Sequence, residues 1–264
     1  MPFSLGSRLT PNLPLTRYLT DAATCFHTVE IPTDPRFLSP HFPLNEKSKQ
    51  TLRVYRERYR FHYTMHAPFV SLGALDPEER GLALNIFRSV ITVAAELEIP
   101  LITFHPSMLE PSDAASYQEI CRYEEESLSR CLAMAQSAGI ALAIENMPKD
   151  PKFHPEAADG ARIRELLSCF PGPGLGVTLD IGHALQAGAD LNTLLNLDRI
   201  RHFHLHENDR QADRHHRIIA NLDWWKGLMA VLNEKFPQAV GILEMNQLID
   251  QMESYHRLQE FFVP

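Results

Sequence analysis

The chain has 264 residues, 44% of them hydrophobic, which fits one globular domain with a large core over residues 1–264. Its 33 acidic residues outnumber its 25 basic ones, and the net charge of -8 disfavours a general polyanion-binding surface and nucleic acid as a partner. No window approaches the roughly 20 apolar residues that span a bilayer, and no secretory signal pattern opens the chain. We therefore expect a cytoplasmic protein without a membrane partner.

Short β-rich runs alternate with helical periodicity along most of the chain, a pattern typical of βαβ units and a parallel sheet. The predicted strands, in chain order, are FSLGSRL (3–9), FHTVEIP (26–32), FHYTMHAP (61–68), LITFHPS (101–107), LAIENMP (142–148), GVTLDIGHA (176–184), RHFHLHEN (201–208) and VGILEMN (240–246). The predicted helices cover 51–59, 76–99, 115–139, 160–170, 190–200, 223–236 and 250–262. Eight strands alternating with helices predict an α/β fold of the (β/α)8 TIM barrel class.

Two of the predicted helices have clear boundary signals. Asp76 is a typical N-cap, Pro77 fits the first turn, Glu79 completes a capping box and Pro100 stops the helix. The next helix is expected to end at Gly139 in a left-handed cap. Its glutamates at 124–126 are predicted to form a solvated face.

The strand ends carry the polar residues. Side chains of a strand alternate between faces, so the apolar neighbours of each polar residue point outward to the helices and the polar residue points into the barrel. Barrel enzymes build their active sites at the C-terminal strand ends. The inward residues that we expect to share one mouth are Glu30, His66, His105, Glu145, Asp180, His204, His206 and Glu244.

A cluster of imidazoles and carboxylates is costly to bury unless each group is paired, hydrogen-bonded or bound to a cation. A metal site removes that cost, and imidazole with carboxylate suits zinc, manganese, iron or cobalt. Considered alone, a histidine such as His66 or His105 is more often a hydrogen-bonded residue of the barrel than a metal ligand. Asp180 alone could be a helix cap, and His206 could either line the site or only contact it. Their coincidence at corresponding strand ends favours the metal interpretation. His202, deeper in its strand, is predicted to be structural.

The segments AIENMP, VTLDIGHAL, HFHLHEND, DRHH and GILEMN, in this order and spacing, resemble the xylose-isomerase-like barrels, which include endonuclease IV and sugar epimerases and isomerases. The resemblance runs from MHAPF to LEMN, most of the chain. It implies a metal shared across that superfamily, whose ligands by motif are Glu145, Asp180, His204 and Glu244. For the trinuclear zinc cluster of endonuclease IV-like members, it implies further ligands at His66, His105, His183, Asp213 and His215.

Two functions follow from this resemblance, and both stay open at this point. One is a metal-dependent hydrolase of phosphoesters or phosphodiesters that resembles endonuclease IV but acts on a small molecule. The other is a sugar or sugar-phosphate isomerase or epimerase with one divalent metal, in which Glu145 and Glu244 exchange a proton and His183, His206 and Arg210 contact substrate. We expect one to three divalent ions, zinc first, with manganese, iron or cobalt as alternatives. A dehydratase, a binding protein and a homo-oligomer also stay open.

Overall fold

The computed structural model describes residues 3–33, 44–108 and 115–261. Eight parallel strands pair in chain order, and the last pairs with the first to close a barrel. This confirms the predicted TIM barrel. The strands are Ser4–Arg8 (β1), Thr28–Pro32 (β2), His62–His66 (β3), Leu101–Phe104 (β4), Ala141–Glu145 (β5), Leu175–Asp180 (β6), Ile200–Leu205 (β7) and Val240–Leu243 (β8).

Helices follow the strands and pack around the barrel. The described helices are Leu15–Ala22 (α1), Glu46–Tyr59 (α2), Pro77–Glu96 (α3), Tyr117–Ser137 (α4), Pro155–Ala158 (α5), Ala161–Cys169 (α6), Ile181–Ala187 (α7), Leu191–Leu194 (α8), Leu222–Lys235 (α9) and Leu248–Gln259 (α10). Residue 262 of the last predicted helix lies outside the described residues. Within those residues, no helix is long and apolar enough to cross a membrane.

The predicted start of α3 and the left-handed turn at Gly139 are confirmed. The capping box was wrong, because Asp76 accepts from Glu78 and not from Glu79, and α3 ends at Glu96, before Pro100, where Glu98 is left-handed with φ +50°. Asp76 caps α3 by accepting a hydrogen bond from the Glu78 backbone N–H, and Pro77 occupies the first helical position. Gly139, two residues after the end of α4, has φ +72°, a left-handed conformation that glycine adopts without steric strain. These signals involve residues close in sequence, which is why they can be identified without the fold.

Three further predictions about these elements were wrong. The run GVTLDIGHA is not one strand, because the Asp180 carboxylate accepts from the His183 backbone N–H and starts α7. Only four residues of the predicted helix at 190–200 are helical, and Ile200 already belongs to β7. Glu124 is buried rather than solvated, because the Arg162 guanidinium lies 2.7 Å from its carboxylate.

The apolar core lies between the barrel wall and the helices. The outward side chains of the strands are buried there, as their alternation predicts: Val29, Ile31, Phe104, Ile144 and Leu179. Inside the barrel, most alternate positions below the mouth are polar, with Ala143 and Ile242 as buried apolar exceptions, and Thr103 and Thr178 hydrogen-bond to each other at 2.8 Å. The barrel therefore has an apolar outer layer and a mostly polar interior beneath its C-terminal mouth.

Candidate metal centre

Histidines from two neighbouring strand ends meet one glutamate at the mouth of the barrel. His66 ends β3, His105 directly follows β4 and Glu145 ends β5, and all three are buried. The Nε2 atoms of both histidines lie 3.1 Å from Glu145 Oε2. His66 Nδ1 donates to the Ala67 carbonyl at 2.9 Å, which leaves its Nε2 available as a ligand atom when the ring is neutral. We call these three residues the first group.

The second oxygen of the same glutamate belongs to another set of residues. His204 Nδ1 lies 2.8 Å from Glu145 Oε1, 3.3 Å from Glu244 Oε2 and 3.7 Å from Asp180 Oδ2. We call Glu145, Asp180, His204 and Glu244 the central group. Glu145 therefore directs Oε2 to the first group and Oε1 to the central group, so that one carboxylate joins both.

An outer group lies beside the central one and consists of His183, Asp213 and His215. His183 Nε2 is 3.3 Å and His215 Nε2 is 3.0 Å from Asp213 Oδ2. The other ring nitrogens are held by the backbone, because His183 Nδ1 donates to the Asn146 carbonyl and His215 Nδ1 donates to the Glu244 carbonyl. Both rings consequently turn Nε2 towards Asp213.

The loop that carries Asp213 is held by local hydrogen bonds. Glu207 and His216 exchange backbone hydrogen bonds of 2.9 and 2.8 Å across its base. The Asn208 side chain donates to the Gly182 carbonyl and to Asp213, and it accepts from the Arg214 backbone N–H. This loop therefore presents Asp213 to the mouth in a defined position.

The three groups fit divalent cations in donor type and spacing. Ligand atoms bound to a tetrahedral zinc ion at about 2.1 Å lie about 3.4 Å from one another. The contacts within the groups range from 2.8 to 3.7 Å, and the donor atoms of each lie within 4.8 Å of one another. Imidazole and carboxylate are ligands for zinc, manganese, iron and cobalt.

Neighbouring imidazoles of the metal-free site have opposite pKa shifts. Burial lowers the pKa of His183, but Asp180 and Asp213 outweigh it and raise that pKa to about 10. For His105 burial prevails and lowers the pKa to about 4. Burial favours protonation of Glu145, but the His204 charge and hydrogen bonds from the surrounding histidines keep its pKa well below the usual range. Bound cations would let all these imidazoles act as neutral ligands.

A cavity of about 1230 Å³ opens directly onto the three groups. Its polar floor includes His66, His105, Glu145, His183, Asp213, His215 and Glu244. Its wall is apolar and includes Phe69, Met108 and Phe153, with the Phe69 ring stacked on His105 at 3.8 Å. A cavity of this volume accommodates a small molecule that has both a polar and an apolar part.

Sequence reasoning assigned no role in the site to Arg8 or Asn146, and it expected Glu30 at the mouth, whereas Glu30 is fully buried and does not line the cavity. Arg8 ends β1, lines the cavity and lies 2.7 Å from Glu244 Oε1. The Asn146 side chain exchanges hydrogen bonds with the backbone of Asp180, and Glu30 contacts His204. Arg8 could have been found from its position as the polar residue at the end of the first predicted strand. The sequence signal for that strand, FSLGSRL, was weak, and Arg8 was therefore not identified.

Two residues predicted to bind substrate lie outside the cavity lining. His206 is fully buried, contacts Asp180 and stacks on His215 with ring centroids 4.0 Å apart. Arg210 is exposed in the loop after β7, with φ +64°. The roles of His206 and Arg210 in binding substrate stay predictions.

The chain is similar in sequence to a known family and to a protein of known sequence. The family described as xylose isomerase-like TIM barrel matches residues 19–261. An uncharacterised protein of Methanocaldococcus jannaschii is 28% identical over 228 residues, which are 83% of this chain and 76% of that protein.

Three solved structures are similar over almost the whole chain. A D-tagatose 3-epimerase-like protein has a TM-score of 0.84 at 24% identity, covering 98% of this chain and 97% of that one. Endonuclease IV of Thermus thermophilus has a TM-score of 0.73 at 19% identity, and another protein of that organism, soaked with ZnCl2, has 0.69 at 24%. Both of these similarities cover 98% of each chain. At these identities the structures show a common fold.

Proposed function

Since the chain belongs to the xylose isomerase-like TIM barrel family, we propose that it is a metal-dependent hydrolase of small phosphoesters or phosphodiesters with a polynuclear centre. The observation that carries the proposal is the position of Glu145, whose two oxygens face two different groups of ligand atoms. A single ion would use the central group and leave the first and outer groups without an ion.

Charge at the mouth supports the same proposal. Among the described residues, five carboxylates belong to or adjoin the three groups: Glu30, Glu145, Asp180, Asp213 and Glu244. Three divalent ions, together with Arg8, would leave this site net positive if the histidines are neutral ligands, whereas one ion would leave it net negative. A net positive site attracts an anionic phosphoester, and a net negative one repels it.

The chain's own residues prepare the site for this chemistry. His66, His105, Glu145, Asp180, His183, His204, Asp213, His215 and Glu244 would hold the ions, for which zinc is the first candidate and manganese, iron or cobalt the alternatives. Divalent ions supply hydroxide near neutral pH and offset the charge of a phosphoester. Arg8 adds a fixed cation beside the ligand Glu244 on the cavity floor, where it can contact an anionic oxygen. Phe69, Met108 and Phe153 give one side of the cavity an apolar surface.

A sugar or sugar-phosphate isomerase or epimerase is the second candidate. It is favoured by the placement of Glu145 and Glu244, which both line the cavity and both contact His204. Two carboxylates facing one cavity can exchange a proton with a carbon beside a carbonyl. In this case only the central group would hold an ion, and the outer group would contact substrate.

Activity assays on zinc-loaded protein distinguish the two candidates. Bis(p-nitrophenyl) phosphate tests phosphodiester hydrolysis, and exchange of solvent deuterium into ketohexoses tests isomerisation. For a polynuclear hydrolase, His105→Ala and Asp213→Ala should each remove most of the hydrolysis. Leu82→Ala, an exposed position on α3, is the control and should leave the rate unchanged. Hydrolysis that persists in both ligand variants would contradict the proposal, and deuterium exchange abolished by Glu244→Gln would favour the second candidate.

A further inference from the structure

A buried glutamate, Glu30, lies directly beneath the central group and does not line the cavity. Glu30 projects from β2 into the barrel and contacts two histidines of β7. His202 Nε2 is 3.1 Å from Glu30 Oε2, and His204 Nε2 is 3.1 Å from Glu30 Oε1. All three side chains are fully buried. Glu30 therefore bridges the barrel interior from one side to the other.

Barrel stability does not explain this carboxylate. The interior of such barrels is usually filled by branched aliphatic side chains. Moving a carboxylate from water into a protein interior costs several kcal/mol, and a buried ion pair is often no more stable than a hydrophobic replacement. A charged residue at this depth therefore calls for a role other than filling space.

The orientation of the His204 ring points to that role. Its Nε2 faces Glu30, and its Nδ1 faces Glu145 at 2.8 Å and Glu244 at 3.3 Å. A neutral imidazole carries one N–H, and the nitrogen that lacks it is the one that binds a metal. When Nε2–H donates to Glu30, the lone pair of Nδ1 is directed into the central group.

His202 completes the arrangement from the other side. Its Nε2 contacts Glu30, whereas its Nδ1 has no hydrogen-bond partner among the described residues. This is the pattern of a neutral imidazole that donates from Nε2 and keeps the other nitrogen without a proton. Glu30 thus receives one N–H from each histidine, and both go to the same oxygen: Oε2 lies 3.1 Å from His202 Nε2 and 3.4 Å from His204 Nε2.

We infer that Glu30 is a positioning residue that fixes the tautomer and orientation of His204 and so sets the metal affinity of the central group, with His202 holding Glu30 in place. The inference rests on the metal centre of the proposed function. It also accounts for the alternating histidines in β7 and directly after it: His202 holds Glu30, His204 faces the metal groups and His206 contacts Asp180. Carboxylate partners of metal-binding histidines commonly change metal affinity by about 10- to 100-fold.

The test compares zinc affinity in three variants by competition with a chromogenic chelator. Glu30→Gln keeps the side-chain size and removes the charge, and its zinc affinity should fall by about 10- to 100-fold. Glu30→Asp keeps the charge on a shorter side chain and should have an intermediate affinity. Glu124→Gln is the matched control, because Glu124 is also buried but pairs with Arg162, and glutamine keeps an oxygen that can accept from the Ser107 backbone N–H as Glu124 does. It should bind zinc as the unmodified protein does.

A proton NMR spectrum of the zinc-loaded protein gives a readout that general destabilisation does not produce. The imidazole N–H protons of His202 and His204 should appear downfield, protected from exchange, and should move upfield in Glu30→Gln but not in Glu124→Gln. Unchanged zinc affinity in Glu30→Gln, or an equal loss in both Gln variants, would overturn the inference. Failure of the unmodified protein to bind zinc would instead contradict the metal centre on which the proposed function rests.

Discussion

The metal-free protein should lose stability as the pH rises above neutrality, and His183 provides the main reason. Its Nε2 lies 3.3 Å from Asp213 and its Nδ1 lies 3.6 Å from Asp180, contacts that raise its pKa to about 10. The pKa of an unfolded histidine is about 6.5. A raised folded-state pKa stabilises the protein fully below pH 6.5, and this stabilisation is lost as the pH rises towards 10.

The size of this loss follows from the shift. Each pH unit between the two pKa values corresponds to about 1.4 kcal/mol, so His183 alone should remove about 2 to 3 kcal/mol between pH 6.5 and 8.5. His66, His204 and His215 also have raised pKa values and act in the same direction. For 264 residues, an unfolding entropy of about 2 cal/mol/K per residue converts the His183 loss into a fall in Tm of about 4 to 6 °C.

Thermal unfolding followed by circular dichroism, with and without EDTA, tests this prediction. In EDTA the Tm should fall between pH 6.5 and 8.5, and the fall should be smaller in His183→Asn. With zinc bound the fall should disappear, because the histidines are then neutral ligands and zinc affinity increases with pH. A Tm in EDTA that is constant or rises over this range would refute the reasoning.

Three further substitutions test separate parts of the structure. Arg8→Gln should raise the KM for an anionic phosphoester roughly tenfold, since a charge-assisted contact is lost, and steady-state kinetics would show an unchanged KM if Arg8 does not meet the substrate. Gly182→Ala places a Cβ on the His206 ring and should lower the free energy of unfolding by about 2 kcal/mol in urea. Arg162→Leu leaves Glu124 buried without its cation, so unfolding should be easier by about 3 to 5 kcal/mol with zinc content unchanged.

The barrel could be predicted because its signals are local. Alternation within each strand separates outward residues such as Phe104 and Leu179 from inward ones such as Glu145, and the structure buries the outward set against the helices. Cap residues such as Asp76 act on backbone groups two or three positions away. The end of β6 was misplaced because Asp180 both ends the strand and caps the next helix, and apolar residues continue past it.

The site could be predicted only in part, since its contacts join residues distant in sequence. Which oxygen of Glu145 faces which group depends on the closure of the barrel, not on the residues beside it. The contact of Arg8 with Glu244 spans almost the whole chain, and that of Glu30 with His202 crosses the barrel interior. Alternation could place Glu30 inside the barrel, but it could not indicate which side chains it meets.

The most direct test of the polynuclear centre is the number of zinc ions per chain, measured by inductively coupled plasma mass spectrometry on tag-free protein and on Asp213→Ala. Asp213 contacts His183 and His215 of the outer group and neither of the other two groups. We expect three ions per chain in the unmodified protein and two in the variant. One ion per chain in both proteins would contradict the polynuclear centre and favour a one-metal isomerase.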